Sequence, residues 1–365
     1  MRDLFEIRSS SGSHPVRITD ASVRDAIAAC DGSLILADSF FRDQLEGLDR
    51  PIIFIDATEE AKEFRAVGPL IEQCREQGLA RNGRIVALGG GVVQDIAGFI
   101  ATVYMRGVQW TLLPTTLLAM VDSCIGGKSS INVGAFKNLV GSFYPPDEII
   151  VPVRAVETLP PEHVAAGKCE AAKICFARGD ECFDDYAELD QSDVERMIEL
   201  SLGAKKWFIE IDEFDQNERL LLNFGHSFGH ALESCTSYGV IHGVAVGVGC
   251  LAAVDFSAKL HAGLAQHPRV RSLSSDLLGI LSQLPELGDH LGEVRRDDFF
   301  RYWQSDKKHN PREYKPILVD ALAQLERATL PRDAASDDAI WEAFEAARDL
   351  VQASRAPYSR RSAQG

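Results

Sequence analysis

Three of the nine histidines in this chain, His226, His230 and His242, fall in one short span. His226 and His230 lie four apart and so share a face if the segment is helical; His242 follows a turn containing Gly239 and precedes Gly243. A catalytic zinc takes three or more nitrogen or oxygen ligands and keeps one position open for substrate. Two imidazoles and a carboxylate satisfy that requirement, and Glu170 is the carboxylate chosen here. The spacing by itself suggests His226 and His230 as the two imidazoles. A surface or capping role is the commoner explanation for any single histidine, but a poor one for all three together with Glu170.

A second set of residues suits anion binding. Lys128, Lys137, Lys173, Lys205, Arg219, Lys307 and Lys308 sit in otherwise apolar or glycine-rich stretches of a chain whose net charge is -16. An isolated lysine is by default a solvated one. Several together suit a substrate carrying both a phosphate and a carboxylate, with arginine matched to bidentate carboxylate binding. The same acidic balance disfavours nucleic-acid and anionic-membrane partners. The eight cysteines form no CxxC pair, which argues against a disulfide framework and a cysteine zinc site. No basic-plus-apolar leader is present and no apolar run is long enough to span a bilayer, so a cytoplasmic protein is expected.

These residues need elements to hold them. At 365 residues and 45% hydrophobic content the chain can bury a large core, and its length predicts two domains. Ile85 to Leu88 form a buried strand closed by Gly89, Gly90 and Gly91, and a helix is expected from Val92 to Tyr104. Backbone N–H groups at such a helix start, beside residues without side chains, make a seat for a pyrophosphate. On the glycines alone a plain strand-to-helix turn is the simpler explanation. Residues 1 to about 30 predict an edge hairpin and a short helix from Ala21 to Cys30. Ser33 to Asp38 and Pro51 to Asp56 are short apolar strands ending in aspartate, which places Asp38 and Asp56 at the carboxyl edge of a parallel sheet. A helix is expected from Ala66 to Gly78. Thr58-Glu-Glu-Ala-Lys62 can be either a nucleotide contact through Glu59 and Lys62 or an exposed pair at helical spacing. After about residue 150 the pattern turns helical, over Pro160–Arg178, Ser192–Ile211, Leu220–Ser234 and Val240–Leu260, with a late strand at Lys315–Asp320.

Several motifs occur in order: the Gly83–Phe99 stretch, Arg106-Gly107, Pro114-Thr-Thr-Leu-Leu118, Val121-Asp-Ser-Cys-Ile-Gly-Gly-Lys128, Phe136-Lys-Asn138, Gly167-Lys-Cys-Glu-Ala-Ala-Lys173 and Leu222-Asn-Phe-Gly-His-Ser-Phe-Gly-His230. From about Asp38 to about Lys308 this order and spacing closely resembles the 3-dehydroquinate synthases and their sugar-phosphate cyclase relatives. The resemblance implies an α/β plus α fold. A Rossmann-like parallel-sheet NAD-binding domain would occupy residues 1–152, a mainly helical metal- and substrate-binding domain 153–352, and a disordered tail 353–365. It implies NAD bound by Asp38, Glu59, Lys62, Gly90, Gly91, Val92, Asp95, Thr115, Thr116, Asp122, Lys137 and Thr158. It implies zinc, with cobalt as the alternative, on Glu170, His226 and His242, moving His230 from the metal to the phosphate. Lys128, Asn138, Lys173, Asn223 and His230 would surround that phosphate, with Arg106 given by the neighbouring subunit of a homodimer. Lys205 and Arg219 would hold the substrate carboxylate, and Lys307 and Lys308 complete the basic set. The chain departs from the family pattern at Phe40, Thr58, Gln94, Phe136 and Ile174-Cys175.

The chemistry so implied is a temporary oxidation by NAD beside zinc, loss of phosphate, return of the hydride and an intramolecular aldol closure. The substrate phosphate can itself accept the proton, so a dedicated base is unnecessary. A carboxylate-binding pair favours 3-deoxy-arabino-heptulosonate 7-phosphate over sedoheptulose 7-phosphate or glucose 6-phosphate. Two other classes compete. A metal-dependent polyol dehydrogenase would leave the cation cluster without a purpose, and a non-enzymatic nucleotide-binding module would leave Glu170, His226 and His242 unexplained.

Overall fold

The computed structural model describes residues 1–134, 136–306 and 308–355. The chain forms two compact units, one of residues 1–159 with 194–215, the other of residues 160–193 with 216 onward.

In the first unit the hairpin β1 (Arg2–Ser9) and β2 (Gly12–Thr19) leads into α1 (Val23–Ala28), capped by Ser22. β3 (Leu34–Asp38), α2 (Arg42–Leu45), β4 (Ile52–Ile55), α3 (Phe64–Glu76), β5 (Arg84–Gly89), α4 (Gly91–Val103) and β6 (Gln109–Pro114) follow. A separate hairpin, β7 (Lys128–Val133) and β8 (Phe136–Phe143), precedes β9 (Glu148–Pro152). The seven-stranded sheet runs β1-β2-β9-β6-β5-β3-β4, and every pairing from β2 onward is parallel. Leu34 to Ala37 and Ile85 to Leu88 are buried throughout, as expected of strands covered on both faces. Registers pairing Asp38 with Ile55 and Gly89 with Pro114 bring Asp38, the glycine turn and Thr115 to the carboxyl edge of the sheet.

The expected single boundary at residue 152 is corrected by the connectivity. After α5 (Pro161–Arg178) and α6 (Asp180–Ala187), α7 (Val194–Ile211) returns to the first unit. The physical reason is a set of bonds made far along the chain. Arg2 pairs with Glu195 and Glu199, the Arg8 N–H donates to Glu210, Ser10 donates to Glu213, and the Ser201 hydroxyl donates to the Val121 carbonyl.

The second unit is mainly helical. The helix expected over Leu220–Ser234 is broken: a 3-10 turn covers Glu218–Asn223, and α8 (His226–Cys235) starts afresh after Gly225, whose φ of 75° is left-handed. α9 (His242–Leu260), α10 (Pro268–Leu281), α11 (Leu287–Glu293), α12 (Arg296–Trp303) and α13 (Ala334–Arg355) complete it, and the late strand is found at Ile317–Val319. By length and composition α9 is apolar enough to cross a membrane, contrary to the expectation from apolar runs, yet 78% of that window is buried inside the protein. It is a core helix approached very closely. A Cβ on Gly249 would stand 2.1 Å from the Gly225 carbonyl oxygen, and one on Gly243 2.4 Å from that of Ala166. These contacts bring α5, α8 and α9 together where Glu170, His226 and His242 are carried.

Candidate active site

In the second unit, His226 is the first residue of α8 and His242 the first of α9. One nitrogen from each of His226, His230 and His242 can be chosen so that all lie within 4.8 Å of one another. Distance does not separate the three rings; their hydrogen bonds do. His226 Nδ1 is 3.2 Å from the Phe224 carbonyl and His242 Nδ1 is 3.0 Å from Glu233 Oε2. Both partners are acceptors, so Nδ1 carries the proton on each neutral ring and Nε2 is the nitrogen whose lone pair a cation could take. His230 Nδ1 is 3.9 Å from Asp306 Oδ2, beyond hydrogen-bond range.

Glu170, fully buried on α5, completes the group. Its Oε1 is 3.6 Å from His242 Nε2 and its Oε2 contacts Lys173 Nζ, yet neither oxygen has a hydrogen-bond partner of acceptable geometry. Lys173 supplies a cation to Oε2, which leaves Oε1 as the buried oxygen that is costly unless a second cation meets it. With two Nε2 lone pairs nearby, the donor set fits a divalent metal. Burial and the Lys173 charge hold His226 well below the usual imidazole range. For His242 burial works downward, but the Glu233 hydrogen bond and charge win and raise it. His230 keeps 42% of its side-chain surface open, yet crowding by protein atoms and the Lys308 charge push it down to about 3.

Beside this group Lys308 Nζ lies 3.0 Å and 3.2 Å from the two oxygens of Asp306, which also accepts the Lys308 backbone N–H. Asn223 donates to the Leu220 carbonyl, and Arg219 is buried in the same 3-10 turn. Lys307 lies outside the described residues. An open cleft of about 660 Å³, lined in part by His309, Asn310, Tyr314 and Arg332, includes Asp306.

The first unit gathers the remaining expected residues. Gly90 caps α4, and a Cβ there would meet Thr116 at 2.7 Å; at Gly91 a Cβ would meet nothing within 4 Å. The N-terminus of a long helix thus faces open space across a residue without a side chain, a cradle that fits a nucleotide pyrophosphate. Thr115 N–H donates to the Gly89 carbonyl, and Val92 lies in the first turn of α4. Asp38 accepts the Phe40 N–H, and burial with the neighbouring Asp56 charge raises its carboxyl above the ordinary range.

The exposed-pair reading of Glu59 and Lys62 does not hold. Lys62 is buried, 2.7 Å from Asp95 Oδ2 and 2.9 Å from Asn138 Oδ1. Ser130 N–H donates to Asp95 while its single hydroxyl proton is within reach of either Asp95 or Asn138, Asn132 donates to Glu59, and Lys137 lies 3.6 Å from Glu59. Asn138 is therefore held within the first unit, at a left-handed φ of 50°. Asp122 sits in a one-turn π-helix, Ala119–Ser123, where Lys205 Nζ reaches its carboxylate at 2.7 Å and its carbonyl at 2.6 Å. Lys205 and Arg219, expected as a pair, belong to different units. Lys128 is half exposed and pairs with Asp215 at 2.5 Å. Arg106 is exposed beside Met105, both at positive φ, and Thr158 is exposed with its hydroxyl donating to Ala155. Solvated lysine, the default, is wrong for Lys62, Lys173 and Lys205.

Sequence reasoning missed Asp306, Glu233 and the reciprocal Gln94–Ser123 bonds beside Asp122 (2.7 and 3.0 Å). A signal for Glu233 existed: it falls seven residues after His226 and three after His230, on the same helical face. Asp306 and Ser123 gave none, because their partners come from other elements.

Comparison with known proteins decides the family. The family model described as 3-dehydroquinate synthase N-terminal matches residues 52–166, and that described as 3-dehydroquinate synthase C-terminal matches residues 167–309. The chain belongs to the 3-dehydroquinate synthase family. The 3-dehydroquinate synthase of Dictyoglomus thermophilum is 34% identical over 306 residues, 80% of this chain and 84% of the relative. That of Paracoccus denitrificans is 35% identical over 268 residues, 69% and 73% of the two chains. Among solved structures, a 2-deoxy-scyllo-inosose synthase complexed with carbaglucose-6-phosphate, NAD+ and Co2+ superposes with a TM-score of 0.79, at 22% identity over 93% of this chain and 99% of that one. The 2-epi-5-epi-valiolone synthase of Streptomyces hygroscopicus subsp. jinggangensis, with NAD+ and Zn2+ bound, gives 0.74 at 23% identity over 94% and 98%. These structural likenesses establish that the 3-dehydroquinate synthase family member described here has the cyclase fold.

Proposed function

We propose that this chain converts a 3-deoxy-arabino-heptulosonate 7-phosphate to 3-dehydroquinate and phosphate, as a phosphate-eliminating lyase with recycled NAD and a divalent metal, zinc or cobalt. The observation carrying this reading is Glu170, a buried carboxylate whose Oε2 is ion-paired with Lys173 while its Oε1 faces two imidazoles whose Nδ1 protons are already engaged. When bound, the metal polarises a substrate hydroxyl and NAD accepts and later returns a hydride. Glu170, His226 and His242 hold the metal; the α4 N-terminus at Gly90, Gly91 and Val92 holds the pyrophosphate, with Asp38 at the adenosine end.

The chain's own groups do the positioning. Lys173, Asn223, His230 and Lys308 offer donors to the departing phosphate, helped by Lys128 and by Arg106 from the second copy in a homodimer. His230, held neutral by burial and the Lys308 charge, offers one ring N–H as a donor to the phosphate. Arg219 and Lys205 receive the substrate carboxylate, and the acidic surface suits a cytoplasmic enzyme of small anionic substrates. Asp122 orients Lys205. Aromatic amino-acid biosynthesis, through the shikimate pathway, is the matching context for this activity.

The test is incubation of the purified chain, NAD and Zn2+ or Co2+ with the heptulosonate phosphate, sedoheptulose 7-phosphate and glucose 6-phosphate. Phosphate release and carbocycle mass should be found with the heptulosonate. Preference for sedoheptulose 7-phosphate would overturn the substrate assignment and favour a specialised cyclase.

A further inference from the structure

We propose that Glu233 is a positioning residue for the metal centre, accepting the Nδ1–H of His242 and so turning that ring's Nε2 toward Glu170. The inference rests on the metal assignment proposed above. Glu233 Oε2 lies 3.0 Å from His242 Nδ1, while on the other side of the ring Nε2 lies 3.6 Å from Glu170 Oε1. The ring is thus held between two carboxylates, one on its proton and one beside its lone pair.

Packing alone does not fix this ring. Its side chain is 37% exposed, whereas Glu233 is 17% exposed and sits on α8 beneath it. The backbone of His242 is placed by the α8–α9 turn, where Val240 N–H donates to the Thr236 hydroxyl and Thr236 donates back to the Leu232 carbonyl. That turn sets where the ring begins, not which nitrogen faces inward. His226 needs no side-chain partner for this purpose, since the Phe224 carbonyl two residues away fixes its proton. His242 has Glu233 instead, and a carboxylate partner also makes the imidazole a better donor to a cation.

A bland alternative is an ion pair that only ties α8 to α9. Glu233→Leu removes the acceptor, and Glu233→Gln keeps an acceptor while removing the charge; His242→Ala is the control. Zn2+ affinity is measured by competition with a chromophoric chelator, the Co2+ form by its visible absorption, and folding by thermal melting. The expected result is a 10- to 100-fold loss of Zn2+ affinity in Glu233→Leu, a smaller loss in Glu233→Gln and an altered Co2+ spectrum in both. If Glu233→Leu does not fold, Glu233→Gln carries the test. Wild-type affinity and spectrum in the Glu233 variants, with metal lost in His242→Ala, would overturn the positioning role and leave the metal site standing. Wild-type affinity in His242→Ala would instead overturn the metal assignment itself.

Discussion

Lys62 and Asp95 are buried as a pair, Nζ 2.7 Å from Oδ2, with the carboxylate also receiving the backbone N–H and hydroxyl of Ser130. Removing the cation leaves a desolvated carboxylate. Lys62→Met should lower stability by about 3–5 kcal/mol at neutral pH, measured by urea unfolding. Burial already holds the Asp95 carboxyl above its ordinary range despite Lys62. With a raised folded pKa, this group's contribution is fully present below the unfolded carboxylate value and is lost as pH rises through the folded one. The difference between Lys62→Met and the parent should therefore shrink as pH falls toward 4. A pH-independent difference would refute the charge argument.

His226→Ala should abolish stoichiometric zinc and turnover together, because a catalytic site has few protein ligands to spare. Melting temperature in the presence of chelator should match that of the chelated parent. Zinc retained at parental affinity would remove His226 from the ligand set.

Gly91→Ala meets no atom within 4 Å, so folding should be unaffected. The added methyl would stand where a pyrophosphate approaches the helix. NAD affinity should fall by roughly 5- to 150-fold, the equivalent of about 1–3 kcal/mol of overpacking, read by isothermal titration. Unchanged affinity would place the dinucleotide elsewhere.

Much of this unit was legible locally. Ile85 to Leu88 and the three glycines announced β5 and the start of α4, and the aspartate ending Ser33–Asp38 correctly marked the sheet edge. The Glu170, His226 and His242 neighbourhood was legible through residue type and family resemblance. What could not be seen depends on distant partners. The π-turn at Ala119–Ser123 is held by bonds from Gln94, Ser201 and Lys205, and the burial of Lys62 by Asp95 on another helix. Gly225 was visible as a letter, but the need for glycine there shows only once α9 packs against it, where a Cβ on Gly225 would meet Cys250 Sγ at 2.6 Å and one on Gly249 would stand 2.1 Å from the Gly225 carbonyl oxygen.

Activity should require NAD without accumulating NADH, since the hydride returns within each cycle. Absorbance at the reduced-nicotinamide band should stay flat while phosphate is released. Stoichiometric NADH would identify a dehydrogenase.

Arg219→Leu should lower kcat/KM for the heptulosonate phosphate by two to three orders of magnitude, from the roughly 3–4 kcal/mol lost when a buried charge loses its partner. Zinc content and NAD affinity should persist. An equal loss with sedoheptulose 7-phosphate would show that Arg219 does not read a carboxylate.

The return of α7 to the first unit has a consequence for synthesis. A fragment ending near residue 159 would lack Ser201 beneath Val121, Lys205 beside Asp122, and the glutamates that anchor Arg2, Arg8 and Ser10. On the ribosome the sheet therefore cannot finish folding until Asp215 has emerged. By then α5, with Glu170 and Lys173 side by side on it, is already outside, still lacking the α9 helix that will cover it.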